Sequence, residues 1–323
     1  MALALSPAAR GFVQRYGTTL ACAAVFAGFA LSTQHFLNPA NLLNVLKQIS
    51  YLTVIALGFT MALIAAELDL SFANVASLCS VVAAGLMHAA LPVSHALLAS
   101  FAVGIGIGLV NGWLVTGLRI PSLVATLATA TIAAGLAFLI TGGVAYVGRL
   151  PPSFLFIGRG ELLGVPMLIV WTVLAVVLAQ FFIKQTRTGI HMVCTGEAED
   201  AARLAGIPVV RLKVLGLALS GLGAAAAGIM LTASLSSGSA TIAGDFLMRG
   251  IAAVLLGMTT VEPGRPNVPG TVIGALIIGM LTNGLTLLGA TYYIQDIVLG
   301  VIIIASVAVS ASQMRRAAFG VPR

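Results

Sequence analysis

Long apolar runs, separated by short polar connections, make up most of the chain. Crossing the hydrocarbon core of a bilayer takes a helix of about 20 residues. The eighth run is short and the second and third are nearly continuous, so the boundaries are approximate. The runs predict about ten spans: 16–35, 42–66, 70–90, 95–118, 121–141, 165–184, 213–235, 246–261, 269–289 and 294–312. The pattern therefore predicts an all-α, polytopic protein with one transmembrane domain over residues 1–323.

Composition supports this reading. Hydrophobic residues make up 59% of the chain and charged residues only 8%, whereas about a quarter of a soluble domain is charged. Arg10 and Arg15 precede the first apolar run. A cleavable signal peptide is the alternative there, but the run has span length and lacks a clear cleavage site, so we favour an uncleaved first span.

The positions of the Lys and Arg residues predict the orientation. Cytoplasmic loops carry an excess of Lys and Arg, and the net charge of +7 is read in this way rather than as a nucleic-acid surface. Twelve of these residues fall on one side: Arg10, Arg15, Arg119, Lys184, Arg187, Arg203, Arg211, Lys213, Arg265, Arg315, Arg316 and Arg323. Four fall on the other: Lys47, Arg149, Arg159 and Arg249. This predicts a multi-pass membrane protein with both termini cytoplasmic and a cytoplasmic loop at 185–213.

Two similar motifs indicate an internal repeat. "NGWLVTG" at 111–117 and "NGLTLLG" at 283–289 lie five predicted spans apart, so they run in opposite directions. Inverted repeats of about five spans are typical of transporters. The alternative is that Gly-rich helices resemble one another because small residues allow close packing. Two further segments, 142–164 and 236–245, are predicted on the outer side, either as docking ground for an external partner or as plain connectors.

Polar groups at membrane depth identify a candidate solute pathway. Glu67 and Asp69 separate two apolar runs, and a carboxylate there is costly unless it is paired, neutral or hydrated. The segment is either a broken-helix element or a tight hairpin in which Asp69 caps the third span. Each Thr side chain either lines the pathway or donates its hydroxyl to the backbone carbonyl four residues earlier in its own helix. The candidate residues are Asp69, Ser71, Asn74, Asn111, Thr126, Thr129 and Asn283.

These polar groups are mostly uncharged, which favours a neutral, hydroxyl-rich solute over coupling to an ion. The sequence contains no phosphate loop, no nucleophile elbow and no His or Cys spacing typical of a metal site. We therefore expect a protein that is not an enzyme and binds no cofactor or metal. If transport uses ATP, a separate chain hydrolyses it.

The most polar segment, 194–213, has the features of a short helix. Thr195 or Gly196 can cap its start, and acids fill its first turns, where the helix dipole favours negative charge. Gly206 and Pro208 end it, giving about ten residues. Its apolar face is Ala201, Leu204 and Ala205. It is either a solvated or membrane-surface segment or a docking helix for a cytoplasmic partner.

Four stretches resemble, in order, the ABC-transporter permeases that import ribose, xylose and arabinose. They are "TGEAEDAARLAGIPVVRLK", "LDLSFANVASL", "GLRIPSLVATLATATIAAGLAFLITGG" and "GTVIGALIIGMLTNGLTLLG". The first is similar to the family's cytoplasmic coupling loop. Two departures are Ala198, where relatives favour Asn, and "GMTTVEPGRPNVPG" at 257–270.

The resemblance implies a permease subunit that works by alternating access, either as a homodimer or as a heterodimer. A soluble solute-binding protein would deliver a monosaccharide or polyol from outside, and a cytoplasmic ATPase would supply the energy of ATP. Branched-chain amino acids, nucleosides or an ion-coupled secondary carrier are the alternatives. The implied ATPase-coupling residues are Glu197, Ala198, Glu199, Asp200, Ala201, Ala202, Arg203, Leu204, Ala205, Gly206 and Ile207.

Overall fold

The computed structural model describes residues 22–318, with side chains as far as Ser306. Helices occur in each of the ten regions that the apolar runs predict. In chain order the helices are α1 (Cys22–Ser32), α2 (Pro39–Ile64), α3 (Phe72–His88), α4 (Val93–Thr116), α5 (Ser122–Thr141), α6 (Pro152–Arg159), α7 (Met167–Gln185), α8 (Arg187–Glu197), α9 (Glu199–Leu204), α10 (Val209–Leu235), α11 (Phe246–Gly257), α12 (Val268–Leu287) and α13 (Tyr292–Ala318).

The prediction of an all-α membrane protein is confirmed. Within the described residues, six helices are long and apolar enough to cross a bilayer, namely α2, α4, α5, α7, α10 and α12. The apolar parts of α1, α3, α11 and α13 are shorter. The expectations for Arg10, Arg15 and Arg323, and for the start of the first span, lie outside the described part of the chain.

Prolines mark the start of five of the described helices. Pro92, Pro121, Pro151, Pro166 and Pro208 stand directly before α4, α5, α6, α7 and α10. Proline cannot donate the backbone hydrogen bond that would continue a preceding helix, and it disfavours helical geometry in the residue before it. These boundaries therefore follow from the local sequence.

The helices form two compact units, one of which is Ser50–Gly250. Within it, α4 and α10 pack closely along a column of glycines. A Cβ on Gly104 or on Gly221 would collide with the backbone carbonyl of the other residue, and Gly108 and Gly112 meet the α10 backbone in the same way. Small residues at four-residue spacing allow such close approach in lipid, where dispersion contacts replace the hydrophobic effect as the source of helix association.

The other unit contains the described residues before Ser50 and after Gly250. Here α12, which carries the second N-G-x4-G motif, also packs through glycines. A Cβ on Gly274 would collide with the carbonyl of Ala253, and one on Gly279 would collide with the Ile49 side chain. Both motif helices thus use glycine for close packing, which supports the packing interpretation. The inverted repeat remains a prediction.

Short strands organise the segments predicted to face outward. They are β1 (Tyr146–Val147), β2 (Glu161–Leu162), β3 (Val165–Pro166) and β4 (Ser237–Gly238). Strand β1 pairs with β4 and β2 pairs with β3, both antiparallel. His88 Nε2 lies 2.8 Å from the carbonyl oxygen of Gly148. Segments 142–164 and 236–245 therefore lie on one side of this unit, as predicted, although its assignment to the outside remains a prediction.

Candidate functional site

The polar segment 194–213 forms two helical pieces rather than one. Helix α8 continues to Glu197, and Ala198 then interrupts the helix with extended backbone angles (φ −154°, ψ 81°). The predicted N-cap at Thr195 or Gly196 is wrong. Thr195 is buried inside α8 and donates its hydroxyl to the carbonyl of His191 at 2.9 Å.

The physical reason is a tertiary contact that the sequence does not reveal. A Cβ on Gly196 would collide with the Ile64 carbonyl at the end of α2. Gly196 therefore allows the last turn of α8 to pack directly against the α2 backbone. The helix ends only after that contact. As a consequence Glu197 belongs to the end of α8 and not to the first turn of the docking helix.

Helix α9 covers six residues, Glu199–Leu204, rather than about ten. Glu199 and Asp200 occupy its first turn, as predicted. Gly206 adopts a left-handed conformation (φ 79°), which glycine tolerates without steric cost. Pro208 then precedes α10. The stop signals are confirmed, whereas the helix starts at Glu199, four residues beyond Thr195.

Helix α9 rests on the protein with one side only. Ala202 is 4% exposed, whereas Leu204 is 91% exposed. Ala201 and Ala205, the other members of the predicted apolar face, are exposed as well, as are Glu197, Asp200 and Arg203. The face centred on Leu204 is therefore accessible, and Ile207 behind it is half-buried.

Lys213, in the first turns of α10, joins this helix to the end of α2. Its Nζ lies 2.8 Å from Glu67 Oε1 and 2.8 Å from Glu199 Oε2. Arg203 Nη2 lies 2.6 Å from the other oxygen of Glu199. The hydrogen bond from Lys213 lowers the pKa of Glu199 below its ordinary value, against a smaller opposing effect of burial, and the charges of Lys213 and Arg203 act in the same direction. Glu199 is therefore ionised at neutral pH.

The connection between α2 and α3 holds a buried carboxylate. Asp69 is 1% exposed, and its Oδ1 accepts hydrogen bonds from the backbone N–H of Ser71 at 2.8 Å and from the Ser71 hydroxyl at 2.5 Å. Ser71 itself occupies the N-cap position of α3. The interpretation of Asp69 as that cap is therefore wrong, and the broken-helix element remains a prediction.

This carboxylate belongs to a network that reaches two further helices. Asn111 of α4 donates from Nδ2 to Ser71 Oγ at 3.0 Å, and Thr129 of α5 donates its hydroxyl to Asn111 Oδ1 at 2.6 Å. Asn111 is 0% exposed and Thr129 is 7% exposed. Because each of these groups has a partner, the network can join three elements at membrane depth at little cost.

Two other pathway candidates, Thr126 and Asn74, make hydrogen bonds between α5 and the α2–α3 connection or α3. The Thr126 hydroxyl accepts from the Leu70 N–H at 3.1 Å and donates to the Ser122 carbonyl at 2.7 Å, the bond expected within its own helix. Asn74 Nδ2 donates to the Ala130 carbonyl at 3.1 Å. Six of the seven pathway candidates therefore lie on α3, α4, α5 and the α2–α3 connection, in one neighbourhood.

Asn283 belongs to the other unit. Its amide exchanges two hydrogen bonds, each 3.0 Å long, with the amide of Asn41. A closed amide pair satisfies both side chains and joins α2 to α12. This arrangement favours a packing role for Asn283.

Sequence reasoning identified Glu67 beside Asp69 but did not pair it with Lys213, and it did not identify Asn41 as the partner of Asn283. The sequence partly indicated a pairing of Glu67 with Lys213, because both residues were predicted at the cytoplasmic ends of spans. Only the fold, however, shows that the seventh predicted span lies beside the second. Asn41 carried no comparable signal.

Comparison with known proteins agrees with this architecture. Residues 41–307 match the family described as "Branched-chain amino acid transport system / permease component". The chain is similar to the ribose import permease protein RbsC of Bacillus subtilis (strain 168), with 35% identity over 92% of each chain. The protein of the same name from Escherichia coli (strain K12) is 37% identical over 85% of this chain and 87% of its own.

Another relative carries a different sugar in its name. The L-arabinose transport system permease protein AraH of Escherichia coli (strain K12) is 32% identical over 91% of this chain and 89% of its own. No solved structure matches the chain.

Proposed function

The chain belongs to this family of transport permeases, and from that premise we propose that it is the membrane-spanning subunit of a bacterial ABC importer for a pentose or a similar neutral sugar. It would reside in the cytoplasmic membrane with both termini inside. The observation that carries the proposal is the match to sugar permeases over nearly the full length of the chain.

The chemistry of the polar network supports a neutral cargo. Apart from Asp69, which is bonded to Ser71, the network consists of hydroxyls and amides. Such groups both donate and accept hydrogen bonds, as sugar hydroxyls do. A charged solute would require an opposite charge to compensate for its lost hydration. The relatives' names favour a sugar over branched-chain amino acids and nucleosides.

Two copies of the chain, or this chain and a related one, would enclose the pathway. A solute-binding protein would deliver the cargo from outside and dock on the β1–β4 and β2–β3 segments. An ABC ATPase would dock in the cytoplasm on the exposed face of α9. Closure of the ATPases on ATP would move α9 and shift the permease between outward-facing and inward-facing packings.

Reconstitution tests the proposed function. The permease is purified with a candidate ABC ATPase and a candidate sugar-binding protein from the same organism, and the proteins are placed in proteoliposomes. We expect ATP-dependent uptake of labelled ribose or L-arabinose, with leucine as the arm that tests an amino-acid cargo. Uptake by the permease alone under an ion gradient would establish a secondary carrier instead.

The docking surface has its own test. Leu204→Glu places a charge in the centre of the exposed face of α9, and burying that charge in a partner's groove is costly. We expect the variant to insert normally but to lose co-purification with the ATPase. Ile190→Glu, at an exposed position on α8, is the matched control. Unchanged co-purification of the Leu204 variant would reject the docking assignment.

A further inference from the structure

The α2–α3 connection, residues 65–71, contacts other elements at both of its ends. At one end Glu67 binds Lys213. At the other, the Leu70 N–H donates to Thr126, and the Ser71 hydroxyl accepts from Asn111. Along the chain, the ion pair at Glu67 therefore lies only three to four residues from the hydrogen bonds that Leu70 and Ser71 make to α5 and α4.

The connection is held in a conformation that it would not adopt alone. Ala66 has a left-handed backbone conformation (φ 60°). This conformation is sterically unfavourable for any residue that has a Cβ. Such conformations persist where the surrounding structure fixes them. Here the surroundings are the end of α8, which packs on the Ile64 carbonyl, and the ion pair of Glu67.

Stability alone does not account for the ion pair. The side chains of Lys213 and Glu67 are only 16% and 6% exposed, and bringing charges into such an environment costs hydration energy. An apolar pair of similar size would pack as well without that cost. The ammonium group of Lys213, which binds both Glu67 and Glu199, provides something that apolar packing does not. It forms a directional link between the α2–α3 connection and α9, which come from distant parts of the chain.

We propose that Lys213 is a positioning residue that links the docking helix α9 to the solute pathway. It holds Glu199 of α9 and Glu67 of the α2–α3 connection, so a displacement of α9 moves that connection and, through it, the contacts with Asn111 and Thr126. This inference rests on the proposed function, in which the ATPase binds α9.

The central experiment compares Lys213→Met with Arg211→Met in the assembled transporter. Both variants remove one positive charge from the start of α10, but Arg211 is exposed, whereas Lys213 carries the two ion pairs. The readouts are co-purification with the ATPase that supports uptake in the reconstituted system, ATP hydrolysis stimulated by the pentose-loaded binding protein, and pentose uptake.

We expect Lys213→Met to retain co-purification, because the Leu204 face is unchanged. Its uptake should fall about tenfold relative to Arg211→Met, which corresponds to about 1.4 kcal/mol. Binding-protein stimulation of ATP hydrolysis should be lost, so that hydrolysis continues without transport. Lys213→Arg keeps the charge and should retain most of the uptake. If Lys213→Met does not accumulate in the membrane, Glu67→Gln replaces it and is expected to have the same effect.

Each other outcome contradicts the inference in a distinct way. Equal uptake by Lys213→Met and Arg211→Met would mean that the ion pairs do not transmit movement. Loss of co-purification by Lys213→Met would make Lys213 part of the docking surface instead. Retained co-purification by Leu204→Glu would reject docking on α9 itself, and with it the premise. The failure of the linkage and the failure of the proposed function are thereby distinguished.

Discussion

Replacing Asn111 with alanine removes the amide that joins α4 to both neighbours. Its Nδ2 donates to Ser71 Oγ at 3.0 Å and its Oδ1 accepts from Thr129 at 2.6 Å. Both partners keep a second bond in the variant. Ser71 still donates to Asp69, and Thr129 has the Thr126 carbonyl at 3.1 Å. No buried donor is therefore left without an acceptor.

The expected cost to folding is modest. Hydrogen bonds between membrane helices contribute about 0.6 kcal/mol each on average, and the void left by the amide adds to the loss of two bonds. The free energy of unfolding should fall by about 1–2 kcal/mol, against about 5–15 kcal/mol for an ordinary fold. The protein should stay folded.

Transport is more sensitive than folding, because it depends on the balance between two packings. If the network differs between these states, a change of about 1–2 kcal/mol shifts their ratio by about 5- to 30-fold. We therefore expect pentose uptake to fall by about that factor, while the yield of monodisperse protein in detergent changes less than about twofold.

Asn283→Ala is the matched control, because it also loses two hydrogen bonds but in a closed pair. Uptake is normalised to folded protein in both variants. The Thr129→Val variant and the double variant complete a cycle that isolates the coupling of Asn111 to Thr129. If yield and uptake fall in parallel for both asparagine variants, the network is structural and the reasoning is refuted.

Two further predictions concern α9. Asn is a favoured N-cap residue, whereas Ala198, at the N-cap of α9, makes no side-chain cap bond. Ala198→Asn should therefore stabilise α9 by about 1 kcal/mol and slow its hydrogen exchange. Unchanged or faster exchange would contradict the assigned start of α9. The lowered pKa of Glu199 means that its ion pairs with Lys213 and Arg203 stabilise the fold above the ordinary Glu pKa of about 4.3 and are lost as pH falls through the lower, folded-state value. The thermal midpoints of wild type and Lys213→Met should accordingly converge on acidification below that range, and a constant difference would oppose the assignment.

The helices could be predicted from the sequence because their signals are local. A long apolar run satisfies its backbone hydrogen bonds in lipid only as a helix or in a closed barrel, and prolines such as Pro121 and Pro208 mark the starts. The left-handed stop at Gly206 was equally readable. The positions of the helices and the end of α9 were therefore predictable within a few residues, whereas the count of about ten spans remains a prediction.

The start of α9 could not be predicted, because tertiary contact decides it. Thr195 and Gly196 are good capping residues by type, yet both lie within α8, where Gly196 packs on the α2 backbone. The same limit applies to the site. All seven pathway candidates were chosen for their polarity, and the fold brings six of them together. That Lys213 would meet Glu67, by contrast, depends on which spans are neighbours, and hydropathy carries no such information.

The position of the charges connects these observations. Lys213 shares its ammonium group between Glu67 and Glu199, and Glu199 is also paired with Arg203. Glu199 can therefore separate from Lys213 while both of them keep a partner of opposite charge. A single pair at the same depth would have to leave a charge unpaired during any movement, at a cost that rises with burial. Beyond Glu67 the same path continues through hydroxyls and amides, whose partners can exchange without separating charge. A path that begins with a shared ion pair and ends in neutral hydrogen bonds is therefore suited to transmit movement without leaving a charge unpaired in the bilayer.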